Sequence, residues 1–161
     1  MITVLRGETP GALDMIRRLI VEYAASLPVD VSHERIEDEM KKLPGDYASP
    51  RGTLLLAMDG EHPIGCAALR PVDSEVCELK RVYVRPEARG RGIGRLLIVT
   101  LICSAQRMGY RRIRLDTIPE LKPALGLYRS LGFRFIAPYR VIPTERALFM
   151  ELRLREEAPT L

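Results

Sequence analysis

Cysteine and histidine are scarce in this sequence, with three cysteines and two histidines among 161 residues. An odd number of cysteines without a Cys-x-x-Cys spacing excludes a paired disulfide framework and is typical of a reducing compartment, so we expect a cytoplasmic location. So few sulfur and imidazole ligands argue against a zinc site, and we expect no metal. No stretch approaches the roughly 18 uninterrupted apolar residues of a membrane span.

The length and apolar content suit one folded domain. Hydrophobic residues make up 47% and charged residues 29% of the chain, the profile of a globular protein that buries a core without disulfide or metal support. The N-terminus lacks the pattern of a signal peptide. We expect a single domain over residues 1–161, with a frayed tail over residues 154–161.

Hydrophobic periodicity predicts the element order β, α, α, β, β, β, α, β, α, β, β. The predicted helices cover about residues 10–26, 32–43, 92–108 and 120–131. The predicted strands cover about residues 2–7, 52–58, 63–71, 75–84, 110–116, 133–136 and 145–154. Three consecutive strands followed by β-α-β crossovers predict an α/β fold with one mixed sheet and helices on both faces.

Positive charge is concentrated in one short segment. The formal net charge is +4, yet residues 80–95 hold six basic residues and one acidic residue, and the other 145 residues sum to −1. A patch this short, without an aromatic stacking platform, argues against a nucleic-acid or membrane-surface partner.

That basic segment contains a glycine-rich loop between a strand and a helix. Gly90, Gly92 and Gly94 alternate along it, and the lack of a Cβ lets their amides approach a ligand closely. The helix start adds unpaired N–H groups and the positive end of its dipole, a combination that binds phosphate. Three arginines, Arg89, Arg91 and Arg95, add counter-charge. The alternative is a glycine-rich turn with a solvated basic face.

At these residues the sequence resembles the GNAT superfamily of acyl-coenzyme-A-dependent N-acyltransferases. The signature Arg/Gln-x-x-Gly-x-Gly/Ala is matched by Arg89-Gly90-Arg91-Gly92-Ile93-Gly94. A second signature, Ala-x-x-Leu-Tyr-x-x-x-Gly-Phe, is matched over residues 124–133. The resemblance covers about residues 2–154. It implies a mostly antiparallel sheet that splays apart at the cofactor site.

The resemblance implies acetyl-coenzyme A as the co-substrate. Main-chain groups of Val82, Tyr83 and Val84 would pair with its pantetheine arm, as an added strand would. Its pyrophosphate would be held by the amides of Arg89, Gly90, Arg91, Gly92, Ile93 and Gly94, with Arg95 at their end. Many members have an asparagine where this chain has Leu121, and Asp116-Thr117 is a candidate replacement for its hydrogen bonds.

The resemblance also implies transfer of an acetyl group to a primary amine by direct attack, through a tetrahedral intermediate. Glu78 is the first candidate for the general base, because four residues along a strand would place it on the same face as Val82. The alternative is an outward-facing Glu78 paired with Lys80 or Arg114. Glu75 is a weaker candidate base.

Tyr128 occupies the position of the general acid that protonates the departing thiolate in the resembled family. A phenol with an ordinary pKa near 10 keeps its proton at neutral pH, as that role requires. The alternative is a helix tyrosine that only packs against the sheet. The resemblance also implies that a main-chain N–H near Tyr83 would hold the oxyanion. Apart from the site, we expect Cys66 and Cys103 to be core residues.

The acceptor side would be built by the first two helices and the late strands, as the resemblance implies. Residues 30–46 carry a net charge of −3, so an acidic rim would attract a cationic amine, unless this is only a solvated helix face. Four residues are candidates for the lining: Tyr23, Tyr47, Tyr139 and Arg140. The acceptor is a small molecule or a peptide amine, and a homodimer is compatible with the family. A non-catalytic acyl-coenzyme-A sensor is the alternative function.

Overall fold

The computed structural model describes residues 1–28, 33–141 and 146–155. Within them lie seven strands: β1 Ile2–Arg6, β2 Thr53–Asp59, β3 His62–Pro71, β4 Val76–Val84, β5 Arg112–Thr117, β6 Arg134–Ile136 and β7 Leu148–Arg153. The same residues form four α-helices: α1 Pro10–Ser26, α2 His33–Lys42, α3 Ile93–Arg107 and α4 Lys122–Ser130. Single 3-10 turns cover Gly45–Tyr47 and Pro86–Ala88.

This element order confirms the prediction from hydrophobic periodicity. The predicted helix start at Ser32, strand start at Glu145 and tail beyond Arg155 lie outside the described residues. The prediction that fraying begins at Leu154 is wrong for this residue, because its amide donates to the Arg111 carbonyl at 2.8 Å.

The strands form one mixed sheet in the order β1-β2-β3-β4-β5-β7-β6. The first four strands pair antiparallel, with β2, β3 and β4 as a meander in which Gly60 supplies the positive φ of the turn between β2 and β3. Helix α3 then crosses over so that β5 lies parallel to β4, while β7 pairs antiparallel with β5 and β6. The predicted mostly antiparallel sheet is confirmed.

The sheet opens between β4 and β5. Parallel pairing joins Val76–Glu78 to Arg112–Arg114 and then stops, although β4 continues to Val84 and β5 to Thr117. Beyond this point the two strands leave a gap with unpaired strand edges. A gap of this kind admits an extended ligand that can pair with the exposed main chain.

Helices cover both faces of the sheet, which explains the continuous apolar run of β2. Leu55 and Ala57 belong to the core under α3 and α4. Leu54 and Leu56 belong to a second core under α1 and α2. A strand that is buried on both sides needs apolar residues at every position rather than at alternate ones.

Strand β4 contains a β-bulge at Arg81. Cys66 pairs with Tyr83, but Ala68 pairs with Lys80, so β4 has one residue more than β3 at this point. Arg81 has a φ of 58°, a left-handed conformation that costs energy for a residue with a side chain. The Cys66 thiol donates to the Arg81 carbonyl at 3.3 Å, which satisfies a group that the bulge removes from regular pairing.

The bulge reverses the alternation of side chains along β4. Leu79 and Val82 both pack on the α3 side although they are three residues apart, whereas Tyr83 packs on the α1 side. Glu78, which precedes Leu79, therefore lies on the opposite face from Val82. The prediction that Glu78 and Val82 share a face is wrong, because the extra residue changes the register between them.

The cysteines divide between the core and the surface. Cys66 and Cys77 are buried, and Cys103 is exposed. Burial raises the pKa of both buried thiols to about 12, which keeps them protonated and unreactive. The core prediction is confirmed for Cys66 and wrong for Cys103, which lies on the outer side of α3, away from Leu101.

Candidate active site

The glycine loop takes a conformation that requires glycine at two positions. Gly90 has a φ of 80°, and Gly92, the N-cap of α3, has a φ of 76°. A Cβ built at either position meets no heavy atom within 4 Å. The backbone conformation, and not crowding, therefore selects glycine here, and the space in front of the loop is open.

The loop presents a row of main-chain donors. Within the described residues, the first α3 amide that bonds back is that of Leu96, which donates to the Gly92 carbonyl at 3.0 Å. The amides from Gly90 to Arg95 have no main-chain acceptor in this part of the chain. Free amides at the positive end of a 15-residue helix fit a pyrophosphate.

The loop arginines are tied to other parts of the chain. Each contact occupies one nitrogen of the guanidinium, and the three charges add positive potential around the loop. The three contacts are Arg89 Nε to the Val84 carbonyl at 3.0 Å, Arg91 Nη1 to Asp59 Oδ2 at 3.0 Å, and Arg95 Nη1 to Ser130 Oγ at 3.4 Å.

A cleft of about 650 Å³ runs from the gap between β4 and β5 to the first two helices. Val82 and Thr117 line it from the two strands that border the gap. Tyr23 and Tyr47 line it from the opposite end. The gap and the predicted acceptor side therefore form one continuous cavity, large enough for a small ligand and the end of a second one.

Tyr128 lies where the gap opens into this cleft. It is 7% exposed, and its ring packs against Phe133 with 5.7 Å between centroids. Within the described residues its hydroxyl has no hydrogen-bond partner. Burial, with smaller contributions from Tyr23 and Asp116, raises the pKa of Tyr128 above its ordinary value. The hydroxyl thus keeps its proton and has it available for a ligand.

Glu78 is buried and held by three side chains. It is 1% exposed. Arg70 binds Oε1, with Nε at 3.0 Å and Nη2 at 2.8 Å. Tyr139 donates to Oε2 at 2.5 Å, and Arg140 Nη2 lies 3.3 Å from the same oxygen. Sequence reasoning named Lys80 or Arg114 as its partners, and neither of them binds it.

Glu78 reaches the cleft only indirectly. It lines a smaller cavity of about 290 Å³, which shares Arg70 and Arg140 with the large cleft. Glu75 lines neither cavity; it is exposed at the start of β4, with its carboxylate 3.9 Å from Arg111 Nε. The structure therefore brings Tyr128 to the cleft directly, sets Glu78 behind its wall and leaves Glu75 outside.

Comparison with known proteins identifies the family. The family model for the GNAT acetyltransferases matches residues 15–133. An uncharacterized N-acetyltransferase of Schizosaccharomyces pombe is 35% identical over 156 residues, which cover 95% of each chain. This chain belongs to the GNAT acetyltransferase family. It is an acyl-coenzyme-A-dependent acetyltransferase, and the predicted family and enzyme class are confirmed.

Solved GNAT structures share the fold at low identity. An acetyltransferase of the GNAT family from Staphylococcus aureus superposes with a TM-score of 0.83 at 18% identity, over 96% of this chain and 100% of that one. A GNAT family acetyltransferase from Elizabethkingia anophelis, solved with acetyl-coenzyme A bound, superposes with a TM-score of 0.66 at 24% identity, over 95% and 98% of the two chains.

The acceptor side of this GNAT cleft is a network of paired charges. Asp116 lies at the end of β5, with Oδ2 3.7 Å from Lys80 Nζ and in a short hydrogen bond with Arg140 Nη2. Burial alone would raise the pKa of Asp116, but Lys80 and Arg140 hold it below its ordinary value. Burial lowers the pKa of Lys80 despite the nearby carboxylates.

A second ion pair closes the cleft toward α2. Arg81 binds Glu39 Oε2, with Nε at 2.9 Å and Nη2 at 2.6 Å. Tyr47 donates a short hydrogen bond to Glu39 Oε1. The bulge thus turns the Arg81 side chain toward the acceptor side. The sequence did not predict Arg81 as a lining residue, because nothing in the local pattern marks a bulge at an arginine.

The expected acidic rim is wrong for the described residues. Nine charged side chains line the large cleft, six of them basic and three acidic: Arg35, Lys42, Arg70, Lys80, Arg81, Arg140, Glu39, Asp46 and Asp116. Asp30 lies outside the described residues, as does the side chain of Glu34. Tyr23, Tyr47 and Arg140 line the cleft as predicted, while Tyr139 lines the smaller cavity.

Leu121 occupies the place of the asparagine found in many relatives of this type. It is the N-cap of α4 and lines the cleft. Asp116 Oδ2 is bound by Lys80 and Arg140, so its remaining oxygen and the Thr117 hydroxyl are what this region offers in place of the amide.

Two negative findings concern the described residues alone. None of their helices is both long and apolar enough to cross a membrane. They contain no group of three or more histidine, cysteine, aspartate or glutamate side chains placed to hold a metal ion. The absence of a metal, the cytoplasmic location and a homodimer stay predictions.

Proposed function

We propose that residues 1–161 form a single catalytic domain that transfers an acetyl group from acetyl-coenzyme A to a primary amine. The observation that carries the proposal is that the edge of β4, Tyr128 and the charged acceptor side all line one cleft at the splayed gap. The Elizabethkingia anophelis relative, which has acetyl-coenzyme A bound, supports the choice of donor.

The main chain would hold the donor. The amides from Gly90 to Arg95 would bind the pyrophosphate at the positive end of α3. The Arg89 amide, which the sequence also predicted as a ligand, instead donates to the Pro86 carbonyl at 3.3 Å. The free edge of β4 at Val82, Tyr83 and Val84 would pair with the pantetheine arm. The Val84 carbonyl already accepts a hydrogen bond from Arg89 Nε at 3.0 Å, so this arginine would yield its place on binding.

Acetyl-coenzyme A would supply a thioester that the neutral amine attacks directly. A main-chain N–H near Tyr83 would stabilise the oxyanion of the tetrahedral intermediate. Tyr128, protonated and without another hydrogen-bond partner in the described chain, would give its proton to the departing sulfur. The main-chain N–H and the Tyr128 hydroxyl would both act from fixed positions, and the packing around the buried Tyr128 ring holds its hydroxyl in place.

We propose Glu78 as the carboxylate that receives the amine's proton at one remove. Its oxygens are bound by Arg70, Tyr139 and Arg140, and it faces the smaller cavity rather than the gap. A proton would therefore reach it through solvent that passes between the two cavities. The same contacts give Glu78 a second role, because they hold Arg70 and Arg140 at the wall of the cleft.

A screen of primary amines with acetyl-coenzyme A tests the proposed function. Thiol release and the mass of the acetylated product are measured together, and reactions without amine serve as the control. We expect at least one class of amine to give thiol release with a product that is heavier by one acetyl group. Binding of acetyl-coenzyme A without thiol release from any amine would contradict the proposal.

A further inference from the structure

Among the described residues, the charged lining of the cleft has more basic than acidic groups. We call its inner members the acceptor wall: Arg70, Lys80, Arg81, Arg140, Glu39 and Asp116. Arg35 and Lys42 add two more cations at the rim, against Asp46. A cleft with this surplus attracts an anion, or an amine that also carries an anionic group.

Two carboxylates of this region have a protein partner on each oxygen, and Asp116 has its partners on Oδ2. Glu39 uses both oxygens, one for Tyr47 and one for Arg81. Glu78, directly behind the wall, accepts from Arg70 on one oxygen and from Tyr139 on the other. A cationic ligand would have to compete with these protein donors, so the wall is poorly suited to bind a simple amine through a carboxylate.

The donors of the wall, in contrast, are incompletely used. Arg140 Nη2 serves both Asp116 and Glu78, while its Nε is buried without a hydrogen-bond partner in the described chain. Leaving a buried charged donor unsatisfied costs free energy. Arg140 also lines the cleft, and a ligand carboxylate would pair with the part of its guanidinium that faces the cavity, because a guanidinium forms charge-assisted hydrogen bonds with carboxylates.

The position of Arg140 determines the distance between the carboxylate of the ligand and the reacting amine of the same ligand. Arg140 binds Asp116 at the end of β5, and the next residue, Thr117, lines the same cleft as Tyr128. Asp116 is near enough to Tyr128 to contribute to raising its pKa. One side chain therefore separates the guanidinium from the region of the proposed general acid.

We propose that the acceptor is a free α-amino acid, whose carboxylate binds Arg140 while its amine points to the gap. This inference rests on the proposed function, since it names the acceptor class of that same site. A peptide N-terminus fits less well, because its neighbouring carbonyl is a neutral amide that cannot balance the surplus charge. The phosphates of the donor would lie at the glycine loop, so they do not balance the positive charge of the acceptor wall either.

Matched pairs of acceptors test the inference. Each proteinogenic α-amino acid with a primary amine, which leaves out proline, is compared with its carboxamide, which keeps the amine and side chain but removes the negative charge. We expect kcat/KM to favour the acid by about 10-fold or more for every accepted side chain, the range of one charge-assisted hydrogen-bonded pair. Arg140→Gln should lower kcat/KM for the acid by a similar factor and remove the preference.

Two further variants keep the test decisive. Arg107→Gln removes an exposed arginine on α3, outside the cleft, and should leave the preference for acids unchanged. If Arg140→Gln does not fold, the double variant Arg35→Gln/Lys42→Gln decides, because both side chains are exposed at the rim. We expect it to reduce the preference for the acid several-fold through the lost positive potential.

The outcomes separate the inference from the proposed function. Carboxamides acetylated as well as the acids would overturn the inference and leave the proposed function standing. Absence of turnover with every amine would contradict the proposed function. Calorimetry of acid and carboxamide binding to the protein saturated with coenzyme A would then test the inference by itself. Tighter binding of acids than of carboxamides would support the inference, and equal or absent binding would overturn it.

Discussion

Under the proposed function, the two sides of the splayed gap would recognise their ligands by different means. The donor side, residues 82–95, offers main-chain amides, a free strand edge and two glycines with positive φ. The acceptor side offers side chains from β3, β4, β5, α2 and the segment after β6. A main-chain site depends on local conformation, whereas a side-chain site depends on how distant segments come together.

This difference separates a general function from a specific one. A backbone cradle binds any donor that carries the same pyrophosphate and pantetheine, whatever the surrounding side chains. The acceptor wall selects by charge and shape, so exchange of a few side chains there would change the substrate. We expect changes on the donor side to abolish cofactor binding and changes on the acceptor side to alter selectivity and stability.

The largest expected effect comes from Gly92→Glu. A glutamate at position 92 would have to adopt the left-handed backbone conformation of Gly92, with a φ of 76°, which is strained for a residue with a side chain. Its carboxylate would also repel the pyrophosphate. We expect the affinity for coenzyme A to fall by about 100-fold or more, as like charges and a lost amide site imply. Calorimetry measures the affinity, and circular dichroism checks folding.

The matched control is Gly11→Glu in α1, where a Cβ meets nothing within 4 Å and no positive φ is involved. It should leave the affinity for coenzyme A unchanged. Equal affinities of wild type and Gly92→Glu would show that the loop does not hold the donor.

Tyr128→Phe should cost activity but not stability. Loss of a general acid lowers kcat by about 10²-fold or more, while the hydroxyl has no hydrogen bond to lose in the described chain. Tyr110→Phe should do the reverse, because its hydroxyl donates to the Arg51 carbonyl at 2.7 Å far from the cleft, a bond worth about 1 kcal/mol. Steady-state kinetics and urea unfolding measure the two quantities.

The pKa of Tyr128 adds a pH test. Because burial raises this pKa, the hydroxyl stays protonated through the ordinary tyrosine range. At pH values below about 10, ionisation of Tyr128 should therefore not reduce kcat. A fall in kcat near pH 8 that disappears in Tyr128→Phe would assign the hydroxyl a different role.

Glu78→Gln should lower both stability and activity. It removes the anion between Arg70 and Arg140, and breaking a buried ion pair costs about 3 kcal/mol. If Glu78 receives the amine's proton, kcat/KM should fall most at low pH, since at high pH the amine loses its proton without help. A pH–rate profile with an unaltered shape would restrict Glu78 to positioning the two arginines.

The smallest expected effect tests the bulge. Arg81→Ala and Arg81→Gly both lose the ion pair with Glu39, but only glycine takes a φ of 58° without strain. We expect the glycine variant to be more stable by about 1 kcal/mol in urea unfolding. For the same two substitutions at Val99, in the middle of α3, the order of stability should reverse. Val99→Ala should be more stable than Val99→Gly, because glycine is the poorer helix former. Equal stabilities at Arg81 would indicate that the bulge moves.

The sequence predicted what local patterns control. Alternating and helical hydrophobic periods gave the element order, and the glycines at the start of α3 led to the prediction of the donor side, which stays a prediction. The bulge could not be predicted, because it lies at an arginine rather than at a glycine. Since it changes the face of every residue after it, the shared face of Glu78 and Val82 was wrongly expected.

The surroundings of Glu78 could not be predicted for a second reason. Its partners Arg70 and Tyr139 are 8 and 61 residues away along the chain. They meet it only because β3 pairs with β4 and the chain after β6 returns over the sheet. Spacing along one strand contains no information about such contacts, so the acceptor side required the structure.

Hydrogen–deuterium exchange with and without coenzyme A tests whether the donor lies in the gap against main-chain groups. We predict slower exchange for the amides of residues 90–95 and for the free edge of β4 at residues 82–84. The outer strand β1 should exchange at the same rate in both states. Protection confined to other segments, with residues 82–95 unchanged, would contradict the account.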